Sequence, residues 1–291
     1  MERNLSPRRR AYDLTMRSLV WLSALLTCAL LVFLIGYIFY RGAGSVTRDF
    51  LTGTTSYLKD TIGILPNILN TLYIVLLSMA IVLPLGVGAA IYLTEYATNR
   101  RLIGAIEYAA ETLSGIPSII YGLVGMLFFC QFLNMQTSLL AGALTLVIMN
   151  LPTIMRTTQE SLKTVPQSYR EGSLALGSGK WHMIRTVVLP SSVDGIVTGC
   201  ILAVGRIVGE SAVLMFTAGM GMRLAKYGDT VGEFFTNLFD SSGATLTVAL
   251  YNYAKERADF DSAFAVAVVL LVIAFVINIA AKLAGKKLKN R

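Results

Sequence analysis

Residues 19–40 read LVWLSALLTCALLVFLIGYIFY, and none of these side chains carries a charge. A helix that crosses the hydrocarbon core of a bilayer needs roughly 20 apolar residues in succession. The run is too long for the apolar region of a secretory signal peptide, and it lacks a small-residue cleavage site. The stretch therefore predicts a membrane-spanning helix that stays in the mature chain.

Five further apolar stretches predict spans of the same kind, at residues 66–93, 115–133, 137–155, 193–218 and 262–283. The chain of 291 residues is 55% hydrophobic and only 14% charged, whereas a soluble domain carries about 25% charged residues. A surface of this composition requires lipid as its solvent. The sequence therefore predicts an all-α integral membrane protein with six transmembrane helices.

The cysteines and the histidine exclude several classes of protein. Cys28, Cys130 and Cys200 all fall inside apolar runs, which excludes a disulfide framework, and no CxxC spacing is present. His182 is the only histidine in the chain, so a histidine-based metal centre or a hydrolase triad is not available. The sequence therefore gives little support to the interpretation as a membrane enzyme, and we expect neither catalytic residues nor a cofactor or metal.

The distribution of basic residues predicts the orientation of the spans. If the N-terminus is inside, 17 of the 25 Lys and Arg residues fall in cytoplasmic segments and 7 in outer ones, as the positive-inside rule requires. The cytoplasmic parts would be the tail 1–18, the loop 156–192 and the tail 286–291, with outer loops at 41–62 and 219–261. The net charge of +8 is then explained by basic residues that lie next to the anionic headgroups at the cytoplasmic surface. No nucleic-acid partner is needed to explain it.

The cytoplasmic loop contains the polar stretch YREGSLALGSGKWHMIRTVVLP at residues 169–190. Its GSGK fragment is similar to the end of a phosphate-binding P-loop, which reads GxxxxGK[ST]. Leu174 stands where the first glycine is required, and Trp181 follows Lys180 where a hydroxyl should bind Mg²⁺. The chain is therefore not expected to bind a nucleotide here.

The same stretch predicts two short helices. Ser168 and Glu171 have the spacing of a capping box at a helix start, and Gly177 is a suitable left-handed end. A second helix over residues 180–188 is expected to end before Pro190. On this pattern alone, an ordinary connector with a solvated charged face is the favoured interpretation of the loop.

The order of residues in the loop resembles a known motif. Five residues follow the pattern E-x5-G-x9-V-x-L-P: Glu171, Gly177, Val187, Leu189 and Pro190. The pattern is similar to the EAA loop of ABC importer permeases, E-A-A-x3-G-x9-I-x-L-P, with Gly172 and Ser173 in place of the alanines. In that family the loop forms a coupling helix that sits in a groove of a separate ATPase subunit.

The resemblance implies roles for individual residues of the loop. Glu171 would supply a cap and a charge, and Gly177 would allow the bend. Tyr169, Leu174 and Leu176 would offer the apolar surface that contacts the ATPase. The resemblance also implies that ATP is hydrolysed by the partner subunits and not by this chain.

Two further stretches resemble the phosphate-importer permeases. They are PLGVGAAIYLTEYA at residues 84–97 and ETLSGIPSIIYGLVG at residues 111–125, and the order of segments is more similar to the PstA type than to the PstC type. The resemblance covers a permease domain over 19–285 and implies the type I importer (MetI-like) helical bundle in the bacterial inner membrane. Another oxyanion, such as sulfate or molybdate, or an uncoupled channel or sensor remain the alternatives.

The resemblance also implies an assembly. A PstA-type subunit pairs with a PstC-type permease subunit and with two PstB-type ATPase subunits. An extracytoplasmic phosphate-binding protein of the PstS type delivers the phosphate. Membrane lipids surround the complex.

The fifth predicted span contains two charges, Arg206 and Glu210. A charge at this depth normally faces protein or water. Arg206 is a candidate for contacting phosphate on the translocation pathway, since a guanidinium matches phosphate oxygens, and Glu210 would moderate that charge. A buried structural pair that joins helices is the equal alternative. Two small-xxx-small pairs would allow close helix approach: Gly195 with Gly199, and Gly205 with Gly209.

Other polar residues at membrane depth carry a weaker signal. Two interpretations stay open for four of them, a position along a pathway or a role in interhelical hydrogen bonds: Asn67, Asn70, Asn150 and Tyr121. Three prolines are expected to bend helices: Pro84, Pro117 and Pro152. Glu107 and Glu111, four residues apart, are expected to lie on a solvated face or at the lipid headgroups.

Overall fold

The computed structural model describes residues 7–56, 61–221 and 241–289, which are mostly helical. In chain order the elements are α1 (Pro7–Gly42), α2 (Arg48–Thr52), β1 (Thr54–Ser56), β2 (Thr61–Ile64), α3 (Leu65–Ile91), α4 (Arg100–Ser114), α5 (Ser118–Gly125), α6 (Leu139–Thr164), α7 (Gln167–Ala175), α8 (Lys180–Met183), α9 (Leu189–Gly209), α10 (Ala212–Thr217), α11 (Leu246–Tyr251) and α12 (Phe260–Lys289). Wider π-helical turns continue α3 (Tyr92–Tyr96), α5 (Met126–Phe132), α8 (Ile184–Val188) and α11 (Asn252–Glu256).

The long helices match the predicted spans. In the described part of the chain, 5 helices are long and apolar enough to cross a membrane, or 6 if a bent pair counts as one span. That pair is α4 with α5, which meet at an angle of 99°. Pro117 stands at the start of α5, so it bends this span as expected. The all-α membrane fold is confirmed, with one small addition: β1 and β2 form an antiparallel hairpin.

The spans pack in a sequence that places α6 in the centre. Helix α6 packs along α3 on one side and α9 on another, α12 packs on α9, and α1 packs on α12. The approach of α3 to α6 is close at Gly86, where an added Cβ would contact Ile154. Residues 19–40 of α1 are apolar and almost entirely exposed, as expected of a helix whose solvent is lipid.

The core is divided into clusters along the bundle. A central cluster joins α3, α5, α6, α9, α10 and α11, and includes Ile74, Leu146 and Ile207. A second cluster gathers Phe50, Ile64 and Tyr253 with α12. A third cluster lies where α3 and α6 meet the segment after α7, around Met183 and Ile184. The third cluster therefore connects the predicted cytoplasmic loop directly to two spans.

The predicted outer loop 219–261 is partly a core element. Leu246, Val248 and Ala249 of α11 are fully buried, so this helix packs inside the bundle and is not an exposed connection. The stretches FFTNLF (residues 234–239) and TLTVALYNYAKERADF (residues 245–260) predict partly helical structure in this loop, but they do not predict the burial of α11, because six residues are too few to show a periodic pattern. The stretch FFTNLF, also expected to be helical, lies outside the described residues.

Two asparagines of α3 hold the start of this buried segment. The side-chain amides of Asn67 and Asn70 both donate to the Ala244 carbonyl, at 3.0 and 3.2 Å. The Leu246 amide donates to the Thr71 hydroxyl at 2.9 Å. These interhelical hydrogen bonds account for Asn67 and Asn70 without a role in a pathway.

Candidate functional site

The predicted coupling segment begins with α7. The helix starts at Gln167 with Pro166 at its N-cap, and no side chain caps it. The expected capping box of Ser168 and Glu171 is therefore wrong. Pro166 occupies the N-cap with φ −57° and ψ 140°, so the helix begins at Gln167 and Ser168 does not stand at the N-cap position that a capping box requires. Glu171 is exposed and available to a partner.

The end of α7 agrees with the sequence. Gly177 has φ +83°, a left-handed conformation that costs other residues about 1–2 kcal/mol. The Gly177 amide donates to the Leu174 carbonyl at 2.9 Å, and the Ser178 amide donates to the Ser173 carbonyl at 3.3 Å. This pair of bonds is a Schellman motif, and it turns the chain from α7 into α8.

Four apolar side chains of this segment are exposed, whereas Met183 and Ile184 are buried in the bundle. Helix α7 has no buried residue. Tyr169 and Leu174 are exposed, and Leu176 at the bend is 90% exposed. Trp181 on α8 is exposed as well. An apolar surface on a polar segment marks a protein or membrane contact, and this one is defined by Tyr169, Leu174, Leu176 and Trp181.

The second short helix does not end before Pro190, contrary to the expectation from the sequence. Helix runs without a break from Lys180 to Gly209 over 30 residues. Pro190 occupies the first turn of α9, directly after the π-helical turn Ile184–Val188. The wider turn accommodates a residue that has no backbone N–H to donate. The coupling segment is therefore continuous with the fifth span.

One residue that sequence reasoning missed attaches α7 to the bundle. The Arg170 guanidinium donates from Nε and Nη2 to Glu95 Oε1, at 3.1 and 2.9 Å. It also donates to the carbonyls of Val165 at 2.6 Å and Leu162 at 2.8 Å, at the end of α6. The signal that could have found it is an acidic residue, Glu95, at the end of an otherwise apolar span.

The lysine of the GSGK fragment has a structural contact. The Lys180 ammonium lies 5.0 Å from the centroid of the Tyr96 ring, a distance that permits a cation–π interaction. Tyr96 belongs to the same π-helical turn as Glu95. Both helices of the coupling segment therefore contact one turn at the end of α3.

The two charges of the fifth span are not an ion pair. Helix α9 ends at Gly209, and Glu210 has an extended backbone with ψ 121°. The Glu210 carboxylate accepts from the Val213 amide at 3.3 Å, which caps α10, and its carbonyl accepts from the Thr247 hydroxyl at 3.0 Å. The predicted continuous span 193–218 is thus broken at Glu210, because this residue begins a new helix instead of continuing the old one.

Arg206 is half-buried, and its sequence neighbours Val204 and Ile207 belong to the same buried cluster as Tyr121. Among the residues that the structure describes, no carboxylate pairs with its guanidinium. Gly205 and Gly209 lie on the same side of α9 and have open space where a Cβ would stand. Arg206 is therefore beside an open surface of the span.

The glycine pairs behave differently from each other. A Cβ at Gly195 would collide with Ser161, and one at Gly199 would collide with Thr157, so both glycines allow α9 to approach α6. The Ser161 hydroxyl also donates to the Ser192 carbonyl at 2.8 Å across this contact. The close approach expected for the first pair is present, whereas Gly205 and Gly209 have no neighbouring helix among the described residues.

The two glutamates of α4 bridge to α6. Glu107 lies 3.3 Å from the Lys163 ammonium, and Glu111 lies 3.6 Å from the Arg156 guanidinium, with all four side chains well exposed. A polar cleft lies beside these pairs. The solvated face predicted for them is thus also a contact between two helices.

A family model described as "Binding-protein-dependent transport system inner membrane component" matches residues 82–290. The "Probable ABC transporter permease protein YqgI" of Bacillus subtilis (strain 168) is 34% identical over 284 residues, which cover 95% of this chain and 96% of that protein. The "Phosphate transport system permease protein PstA 1" of Mycobacterium tuberculosis (strain CDC 1551 / Oshkosh) is 31% identical over 285 residues, covering 96% and 90%.

Solved structures of low sequence identity share the fold. A bacterial ABC transporter that imports the polysaccharide alginate has a TM-score of 0.64 at 14% identity, covering 96% of this chain and 99% of that one. The MetNI methionine ABC transporter, in an inward-facing conformation, has a TM-score of 0.57 at 19% identity, covering 78% and 94%. These similarities extend to the fold alone.

Proposed function

Because the chain belongs to the family of inner-membrane components of binding-protein-dependent transport systems, we propose that it is the transmembrane permease subunit of an ATP-driven phosphate importer. The relatives named as phosphate permeases carry this proposal, since one of them matches 96% of the chain at 31% identity. The chain itself is a multi-pass permease subunit. Phosphate as its substrate is the step that the proposal adds.

The apolar surface of Tyr169, Leu174, Leu176 and Trp181 supports contact with an ATPase subunit. Exposed apolar surface of this kind is typical of a protein contact site, and Glu171 and the bend at Gly177 are exposed in the same segment. In the proposed topology, with both termini in the cytoplasm, the segment 168–190 faces the cytosol. Closure of two PstB-type ATPase subunits would then move it and shift the permease between outward and inward access.

Arg206 is proposed to contact the phosphate during passage. Its guanidinium has no carboxylate partner among the described residues, and the adjacent glycines leave space for an anion. The break at Glu210 supports the same location, because irregular backbone at membrane depth occurs where it is buried in protein or lines a cavity. A PstC-type subunit would supply the opposite wall, and a PstS-type protein would deliver phosphate from outside.

Reconstitution tests the substrate directly. The chain is co-expressed with its partner permease, ATPase subunits and binding protein, and the purified complex is placed in proteoliposomes. We expect ATP-dependent uptake of radiolabelled phosphate that excess sulfate or molybdate does not inhibit. Uptake of sulfate or molybdate in place of phosphate contradicts the proposed substrate, and phosphate entry without ATP contradicts a coupled transporter in favour of a channel.

A further inference from the structure

Arg170 makes the hydrogen bonds that attach α7 to the spanning helices. Among the described hydrogen bonds, all those that join α7 to a spanning helix or its end come from Arg170. The Arg170 side chain is 12% exposed and its partner Glu95 is 6% exposed, whereas the other ion pairs described here have side chains at least 41% exposed. Helix α7 has no buried residue, and its other contacts are with α8 and the π-helical turn Ile184–Val188.

Arg170 joins three elements at one point. Its guanidinium contacts the turn after α3 through Glu95, and it closes the end of α6 through the carbonyls of Leu162 and Val165. The Lys180 contact with Tyr96 attaches α8 to the same turn. The turn Tyr92–Tyr96 therefore holds the coupling segment at two neighbouring positions.

We infer that Arg170 and Glu95 are a positioning pair that makes α3 a second route from the coupling segment into the bundle, beside the continuous helix Lys180–Gly209. The inference rests on the proposed function. Helix α3 packs along α6 and holds α11 through Asn67 and Asn70 at its other end. A displacement of α7 thus reaches the far end of the bundle through α3, provided that the pair is intact.

Removing either charge separates α7 from α3. A buried ion pair that loses one partner leaves an uncompensated charge, so the remaining side chain turns toward water. The apolar surface of α7 still binds the ATPase in that state. ATP hydrolysis therefore continues, whereas less of each movement reaches the spans.

The test uses the full complex in proteoliposomes, with Arg170→Gln, Arg170→Lys and Glu95→Gln. The amount of radiolabelled phosphate imported per ATP hydrolysed is expected to fall roughly tenfold in the two Gln variants, in the usual range of coupling between sites. Arg170→Lys keeps the charge but not the planar fork, so an intermediate value is expected. A wild-type ratio in all three variants overturns the inference.

Glu107→Gln is the matched control. It removes the same charge from the exposed pair with Lys163, which does not involve α7, and its ratio of phosphate to ATP is expected to equal that of the wild type. If the Gln variants lower the rates of phosphate uptake and ATP hydrolysis together and leave their ratio unchanged, the defect lies in folding or assembly. That result also overturns the positioning role. A reduced ratio in Glu107→Gln contradicts the specific role of Arg170.

A second measurement does not depend on the transported solute. Spin labels at residues 167 and 52, in a background without native cysteines, report the distance between α7 and the hairpin end of the bundle. Nucleotide is expected to change this distance in the wild type and to change it less in Glu95→Gln. An equal change in both overturns the inference even if phosphate proves not to be the substrate.

Discussion

Arg206 is the side chain on which a pathway role depends, and its replacement is the first prediction. A hydrogen bond between a charged donor and an anion contributes about 1.5–3 kcal/mol. Arg206→Ala is therefore expected to lower phosphate uptake at limiting phosphate by about tenfold or more, and Arg206→Lys by less. The measurement is initial uptake into proteoliposomes at several phosphate concentrations.

The controls for Arg206 separate a pathway role from a general effect of charge. Arg101→Ala removes an exposed arginine at the start of α4, and we expect no change in uptake. Glu210→Gln keeps an oxygen that can cap α10 at the Val213 amide while it removes the charge. Unchanged uptake in both Arg206→Ala and Glu210→Gln would contradict the proposed pathway.

Leu176 gives the second prediction at this scale. Its side chain is 90% exposed, so Leu176→Asp removes apolar contact area from a partner without opening a cavity in this chain. A leucine buried at an interface contributes about 1.5–3 kcal/mol, so we expect ATPase affinity to fall at least about tenfold. The measurement is retention of the ATPase subunits by the detergent-purified permease.

Leu14→Asp is the control for Leu176. Leu14 is 72% exposed on α1, away from the coupling segment. We expect full retention of the ATPase subunits in this variant. Equal loss from both variants, or from neither, contradicts the assignment of the docking surface to the bend after α7.

The sequence predicted the exposed residues of the coupling segment better than its attachment. Gly177 and Leu176 follow from a local rule for helix ends. Arg170 and Glu95 could not be paired from the sequence, because 75 positions separate them and only the packing of α6 brings α3 near α7. Arg206 and Glu210 have the i, i+4 spacing of an ion pair, but the Glu210 carboxylate instead accepts a hydrogen bond from the Val213 amide at the start of α10.

Among the elements, the contact of α9 with α6 gives the third prediction. Gly199→Ala places a Cβ against Thr157, and overpacking of this kind costs typically 1–3 kcal/mol. Gly205→Ala meets open space and improves helix propensity by about 0.8–1 kcal/mol. The variants are expected to shift the melting temperature of the purified permease in opposite directions. Equal shifts of the melting temperature in the two variants would contradict the close packing of α9 on α6 at Gly199.

The long elements were predictable because their apolar content is high over about 20 residues. The irregular turns and short buried helices between them were less predictable. The continuation of helix past Pro190 depends on a π-helical turn, which has no reliable sequence pattern. The burial of α11 depends on Asn67 and Asn70 from a helix far away in the chain.

For the whole molecule, the decisive prediction concerns the side of the membrane. Ser178→Cys, in a background without Cys28, Cys130 and Cys200, is expected to react with an impermeant thiol reagent only in inside-out vesicles. Arg48→Cys, exposed on α2, is expected to react only in right-side-out vesicles. Labelling of residue 178 from outside contradicts every proposal that involves a cytosolic ATPase.

In the proposed coupling mechanism, the uninterrupted helix from Lys180 to Gly209 would act as a lever. Its 30 residues extend about 45 Å at 1.5 Å per residue. A tilt of about 5° at the bend beside Leu176 therefore carries the Arg206 end sideways by roughly 4 Å. A displacement of that size is comparable to the diameter of a small tetrahedral anion, so in the proposed mechanism a modest rotation at the surface would be sufficient to open or close the pathway for phosphate.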